Sequence, residues 1–280
     1  MMLQGLSRAG LGTIENNEQF LELASRYQFQ SVDLEAKDLI NELGAERANE
    51  RLKELGLSIG TIGLPVEWRA SDAQFLQGIS ELPAAAAAAS SLGCTRCCTY
   101  ILPSTDYSAA HFMAIATKRL RICADILGAY GIKLGLEFVG PHHLRTQWKN
   151  PFIWTLDETI DWIDAIHEPN VGLLFDSYHW YTNELDISDI LRLKAEQIVH
   201  VHINDAKDLP VDQVLDNDRL YPGEGVIDLA GFLKGLHEIG YQGPVTQEIL
   251  TPATPNDSPE NLAARSRKGF DKVFKAAGLL

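Results

Sequence analysis

The chain has 280 residues, with 24 Lys and Arg against 38 Asp and Glu, a formal charge of −14, and 45% of its residues are hydrophobic. That length builds one large domain or two small ones. The charge argues against a nucleic-acid or anionic-membrane partner, because phosphate binding draws on Lys and Arg to neutralise the backbone, and it leaves small polar substrates open. Residues 1–20 lack a basic segment followed by an apolar run, and no stretch approaches the roughly 20 apolar residues that span a bilayer, so no membrane span and a cytoplasmic location are expected.

In chain order, a short apolar strand at 3–6 precedes a helix at 18–27 that Asn16 and Asn17 cap, and a strand at 31–35 precedes a helix at 38–55. Strand 57–64 and helix 72–92 follow. Pro83 predicts a kink or a fresh start in that helix, and the run Ala84 to Ala89 lets it sit close to its neighbours. Strand 97–102, helix 109–130, strand 132–138, helix 156–167, strand 171–176 and helix 187–196 continue the alternation. Strand 200–203, helix 229–239, strand 245–249, a polar loop at 251–259 and a last helix at 260–277 complete it. Four junctions share one grammar, in which a helix ends at Gly56, Gly93, Gly131 or Gly240 and a strand follows within a few residues. Glycine suits the positive φ that often follows a helix.

Eight strands alternating with eight helices, about 35 residues per unit, predict a single α/β domain over 1–280 with the (β/α)8 TIM-barrel fold. An open doubly wound sheet competes, yet no Gly-x-Gly-x-x-Gly follows any strand. Three of the four cysteines crowd at Cys94, Cys97 and Cys98. They read as reduced thiols packed beside a strand, since no second Cys pair completes a zinc ribbon for Cys94-x-x-Cys97, although redox chemistry is an alternative use of that pair.

Barrel enzymes place their chemistry at the C-terminal ends of strands. Four consecutive predicted strands end in ionisable residues: Glu137 after Leu136, Asp176 after Phe175, His202 in Val199-His-Val-His-Ile203, and Glu248 after Gln247. Three carboxylates converging on one barrel mouth repel unless a cation neutralises them. With one imidazole they form an oxygen-rich set that suits one divalent ion, Mn²⁺, Mg²⁺ or Co²⁺, and tolerates Zn²⁺. Any one such residue is more often a helix N-cap or a surface ion pair; four in succession are not. His200 shares the strand face of His202 and is the alternative ligand, with His202 favoured because it stands nearer the strand end. His179 in Asp176-Ser-Tyr-His179 and Arg219 in the loop before Gly223-Glu-Gly225 stand ready to bind substrate oxygens. Alone, Arg219 would read as a surface partner of Asp216 or Asp218, and His179 as a residue at a helix start. The glycines of that loop would allow its backbone close to a ligand.

The segments Leu136-Glu-Phe138, Phe175-Asp-Ser-Tyr-His179, His200-Val-His-Ile-Asn-Asp205, Pro222-Gly-Glu-Gly225 and Gln247-Glu248 make the chain resemble the xylose isomerase-like TIM-barrel superfamily of sugar and sugar-phosphate isomerases and epimerases. Within it the likeness is to the inosose (2-keto-myo-inositol) isomerase branch, strongest over residues 130–250. The resemblance implies that Glu137, Asp176, His202 and Glu248 hold the metal, that Glu137 and Glu248 double as acid and base, and that His179 and Arg219 bind substrate. It implies proton transfer on a small sugar or cyclic polyol ketone through a cis-enediolate, with a homo-oligomer left open. Inosose-type dehydration on the same site is an alternative, and a non-catalytic sugar-binding barrel another. The abasic-site nucleases of the same superfamily use three zinc ions and extra histidines. Here the strand ends at Leu64 and Leu102 supply none, and Leu220 follows Asp218-Arg219 where that pattern has histidine.

Overall fold

A computed structural model describes residues 2–280. The strands are β1 (Leu3–Leu6), β2 (Ser31–Val32), β3 (Ser58–Ile59), β4 (Ile62–Gly63), β5 (Arg96–Ile101), β6 (Ser104–Thr105), β7 (Lys133–Phe138), β8 (Asn150–Pro151), β9 (Val171–Asp176), β10 (Ile198–Ile203) and β11 (Pro244–Gln247). Nine of them form one parallel sheet in the order β3-β2-β1-β11-β10-β9-β7-β5-β4. Its two edges, β3 and β4, are separated in the chain only by Gly60 and Thr61. β3 pairs with β2 through Ser31↔Ser58, and β4 pairs with β5 through Ile62↔Cys97. One broken strand therefore closes the ring, and the expected (β/α)8 barrel is the fold. The remaining two, β6 and β8, pair antiparallel beside it.

The helices are α1 (Asn17–Arg26), α2 (Ala36–Leu43), α3 (Ala45–Leu55), α4 (Asp72–Ser91), α5 (Ala109–Gly128), α6 (His142–Arg145), α7 (Leu156–Ile166), α8 (Ser177–Thr182), α9 (Ile187–Leu191), α10 (Leu229–Glu238) and α11 (Pro259–Ala276). The longer ones lay apolar faces on the ring, as Phe20 and Leu21 of α1, Trp162 of α7, Phe232 of α10 and Phe270 of α11 do, all of them buried. Asn16 caps α1 by accepting from the Gln19 N–H at 2.8 Å. Gly56, Gly93, Gly131 and Gly240 all have positive φ, as the junction grammar requires.

Several expectations need correction. The helix at 38–55 is two helices, α2 and α3, because Gly44 at φ 83° turns the chain between them. The strand at 57–64 is broken at Gly60 and Thr61, and that at 31–35 keeps only Ser31 and Val32. Of the kink or fresh start expected at Pro83, the fresh start does not occur, since α4 runs through it as a single element. The helix at 187–196 stops at Leu191, with a 3₁₀ turn over Ala195–Gln197. Among the described residues no helix is long and apolar enough to cross a membrane.

Candidate active site and metal centre

The strand ends deliver four of the predicted residues to one place. Glu137 stands near the end of β7, Asp176 ends β9, His202 is the next-to-last residue of β10, and Glu248 follows β11. One ligating atom from each lies within 4.8 Å of all the others. The His202 Nδ1 is 3.6 Å from Glu137 Oε1, 3.6 Å from Glu248 Oε2 and 4.0 Å from Asp176 Oδ2. No hydrogen bond spans those gaps. Glu137 Oε1 and His202 Nδ1 are buried without a hydrogen-bond partner. Buried polar atoms rarely stay unpaired, and three oxygens with one imidazole nitrogen, too far apart to bond one another, fit a divalent cation between them.

Asp176, His202 and Glu248 are held by neighbouring side chains, and Glu137 is not. Asp176 Oδ1 accepts from the Tyr178 N–H at 2.6 Å and from Asn204 Nδ2 at 3.0 Å, and Oδ2 accepts from Arg219 Nη1 at 2.9 Å. Asp176 is thus also the N-cap of α8, so the two uses expected of such a residue coexist. His202 turns Nε2 towards Asp33 Oδ2, 3.4 Å away, leaving Nδ1 to face the carboxylates. The same Asp33 oxygen takes His200 Nε2 at 2.8 Å. His200 is therefore hydrogen-bonded to Asp33, while His202 stands among the three carboxylates. Gly60 makes room for this arrangement, because a Cβ there would stand 2.3 Å from Asp33 Oδ1.

The electrostatics follow from burial and neighbours. Burial opposes the charge of Asp33, yet His200 and His202 outweigh it and hold its carboxyl at about 2. Burial raises the pKa of Glu137, with Glu248 adding to the effect. Burial and His202 pull Glu248 in opposite directions, and His202 with Arg219 wins, lowering it. Burial would lower His202, but Glu248, Asp33 and Glu137 raise it well above the ordinary imidazole value.

Arg219 and His179 are buried against the cluster. Arg219 is buried, 4% exposed, so the surface-pair alternative is only half right. It does bond Asp216 at 2.7 Å, and it also reaches Glu248 Oε2 at 2.8 Å beside Asp176. His179 accepts the Gly140 N–H on Nδ1 at 3.3 Å. Its Nε2 therefore carries the proton and points between Glu137 and Asp216, 4.0 Å from each. The Gly223 and Gly225 loop corrects an expectation. Its N–H groups do not face a ligand; Asp205 accepts from Gly223, Gly225 and Ile227 at 2.9–3.0 Å, and a Cβ on Gly225 would meet the Ala206 carbonyl at 2.0 Å.

Asp33, Asn204 and Asp216 were not singled out as site residues by sequence. Asp33 was within reach of the rule applied to the later strands, since it follows Val32 at the end of β2. Asn204 carried no such signal. The four cysteines are free and buried, and burial pushes Cys94 to about 11 and Cys98 and Cys123 to about 12. Such thiols are neutral at physiological pH, which agrees with packing and not with redox work.

A cavity of about 620 Å³ opens above the cluster, lined by Glu137, His202 and Glu248 at its base and by residues of α1, α2 and the β4 and β5 ends around it. That volume lies in the range of roughly 300–1,000 Å³ usual for small-molecule sites.

The family model described as xylose isomerase-like TIM barrel matches residues 6–273. An inosose isomerase of Bacillus velezensis is 34% identical over 129 residues, 46% of this chain and 44% of that enzyme, so the chain spans under half the length of the curated relatives it matches. A solved xylose isomerase domain protein from Alicyclobacillus acidocaldarius is 33% identical with a TM-score of 0.91, covering 99% of this chain and 100% of that one. The IolI protein, solved with a bound zinc atom, shares the fold at 22% identity and a TM-score of 0.81, covering 98% and 99%. With the ring closed, the strand ends convergent and the match running almost from end to end, the chain belongs to the xylose isomerase-like TIM-barrel family.

Proposed function

We propose that the protein is a divalent-cation-dependent isomerase or epimerase of a small sugar or cyclic polyol ketone, an inosose-like or ketose-like α-hydroxy ketone. The observation that carries this reading is the set of four inward ligand atoms within 4.8 Å, two of them buried with no partner. The inosose isomerase relative supports the reaction class, and the zinc of the IolI protein supports a cation in this fold.

In this reading Glu137, Asp176, His202 and Glu248 hold the ion, which when bound polarises the substrate carbonyl and acidifies the neighbouring C–H. Glu137 and Glu248 rise from β7 and the end of β11, with β9 and β10 between them. They approach a bound carbon from different strands, so one carboxylate removes the proton and the other returns it, to the same carbon for epimerisation or to the next for isomerisation. The Nε2–H of His179 and the Arg219 guanidinium orient the substrate oxygens and offset the negative charge of the enediolate.

The test is deuterium incorporation from D₂O beside the carbonyl of inososes and ketoses, followed by NMR with Mn²⁺ or Co²⁺ present. Wild type should exchange that proton only with metal. Glu248→Gln should lose about 10²–10⁴-fold of the rate, the range general acid–base catalysis supplies, with circular dichroism unchanged. Wild-type exchange by that variant would remove the two-carboxylate scheme, and absence of exchange across the panel would remove the isomerase reading.

A further inference from the structure

The cavity over the strand ends has one exposed apolar surface. Leu34, Ile62 and Leu174 line it but are buried, whereas Tyr100 on β5 lines it and is 44% exposed. The other ring in the lining is that of His202, which stands among the carboxylates. Tyr100 is paired in register with Glu137 of β7. Residues paired in this way share a face of the sheet, so the Tyr100 side chain stands beside the carboxylate assigned as acid or base.

The ring is held from one side. Arg69 lays its guanidinium 4.1 Å from the ring centre, and its Nη1 donates to the Tyr100 carbonyl at 2.8 Å and to Thr99 Oγ1 at 3.3 Å. Arg69 is itself fixed, since Glu67 accepts from its Nη2 at 3.2 Å and the Trp68 ring lies 4.9 Å from the guanidinium. A cation on one face of an aromatic ring settles the plane of that ring. Arg69 does not line the cavity, so the face it leaves open is the one that borders the cavity.

A six-membered polyol ring has two chemistries. Equatorial hydroxyls surround its edge, and axial C–H groups make its two faces apolar. One face can lie on an aromatic ring while the edge hydroxyls donate to Asn16, Glu35 and Asp38, which line the same cavity. An open chain of the same carbons has no continuous C–H face to offer. We infer that Tyr100 is a specificity-determining residue, the platform for the C–H face of a six-membered polyol ring, and that through it the site prefers a ring to an open chain. The inference rests on the isomerase reading for the chemistry beside Glu137, but the stacking itself concerns binding.

The experiment is calorimetric titration of the Mn²⁺-loaded protein with scyllo-inositol and with D-glucitol. Both have six carbons and six hydroxyls and neither has a carbonyl to react, but only the first is a ring. Wild type should bind scyllo-inositol about tenfold more tightly, the size of one good aromatic contact. Tyr100→Ala should lose most of that difference by weakening scyllo-inositol, and Tyr100→Phe, which keeps the face and drops the hydroxyl, should retain it. Equal affinities of wild type for ring and chain overturn the inference. So do a Tyr100→Ala variant that keeps the preference, a Tyr100→Phe variant that loses it, and a failure of scyllo-inositol to bind. Proton exchange on an inosose, measured with the wild-type protein, separates the two claims. Ring preference without exchange leaves the platform and removes the isomerase reading; exchange without ring preference does the reverse.

Discussion

His202 presents Nδ1 to the three carboxylates because Asp33 takes the other ring nitrogen, and Asp33 stays ionised because two histidines face it at the end of β2. Partners of this kind fix the tautomer and angle of a metal-ligating imidazole, and their loss commonly costs 10–100-fold in metal affinity. Asp33→Asn should therefore weaken Mn²⁺ or Zn²⁺ binding by about that factor in a chelator competition, while the circular dichroism of the variant stays that of the wild type; unchanged affinity would make Asp33 a packing residue only. Glu137 and His202 both have raised pKa values, so each holds its proton above the pH at which an ordinary Glu or His would release it. A cation must displace those protons, and its apparent affinity must climb as pH rises. Calorimetry in buffers of different ionisation enthalpy should show proton release on metal binding, and a buffer-independent heat would contradict it. The four residues of the cluster were legible because each is the ionisable end of an apolar strand. Asp33 obeys the same rule, but the apolar run reads on to residue 35 and so places it inside the strand and not at its end, and Asn204 was silent because an amide after a strand has no chemistry of its own to announce.

Among the elements, the broken third strand and the loop over 204–228 do the most to shape the mouth of the barrel. Gly60 interrupts the strand between β3 and β4 and gives Asp33 its space. The loop folds back on Asp205, and Gly225 lies so close to the Ala206 carbonyl that any side chain collides with backbone. Gly225→Ala should cost about 1–3 kcal/mol, as overpacking does, and lower the Tm by several degrees; a thermal melt that matches wild type would show that the loop yields freely. Element order and type were readable from apolar runs and the glycines that end the helices, because both report local physics. Breaks were not. Gly44 separates α2, which buries Ala36 and Leu39, from α3, which buries Ala48 and Leu52, and Pro83 lies inside α4 although its missing N–H favours an end. In both cases packing on the ring decides what the local signal leaves open.

At the scale of the molecule, alternation of strands and helices implied the barrel, and the barrel explains why residues 137, 176, 202 and 248, far apart in sequence, meet. Net charge was legible as a global number, but the location of the acidic groups around the cavity emerges only from the fold. The cysteines give an independent check on how tightly the shell is packed. All four are buried with raised pKa values, so at pH 8 a thiol reagent should label the native protein slowly and all four groups at once after denaturation. Rapid labelling of Cys97, which is fully buried, in the native state would mean that the sheet beside the cavity opens. The account as a whole stands on one cation at the mouth of the ring. Crystals grown with Mn²⁺ and measured for its anomalous scattering test this most directly. A single strong peak bonded to Glu137, Asp176, His202 and Glu248 is the predicted result, and a map with no peak there, or with the ion bound elsewhere on the molecule, would contradict it.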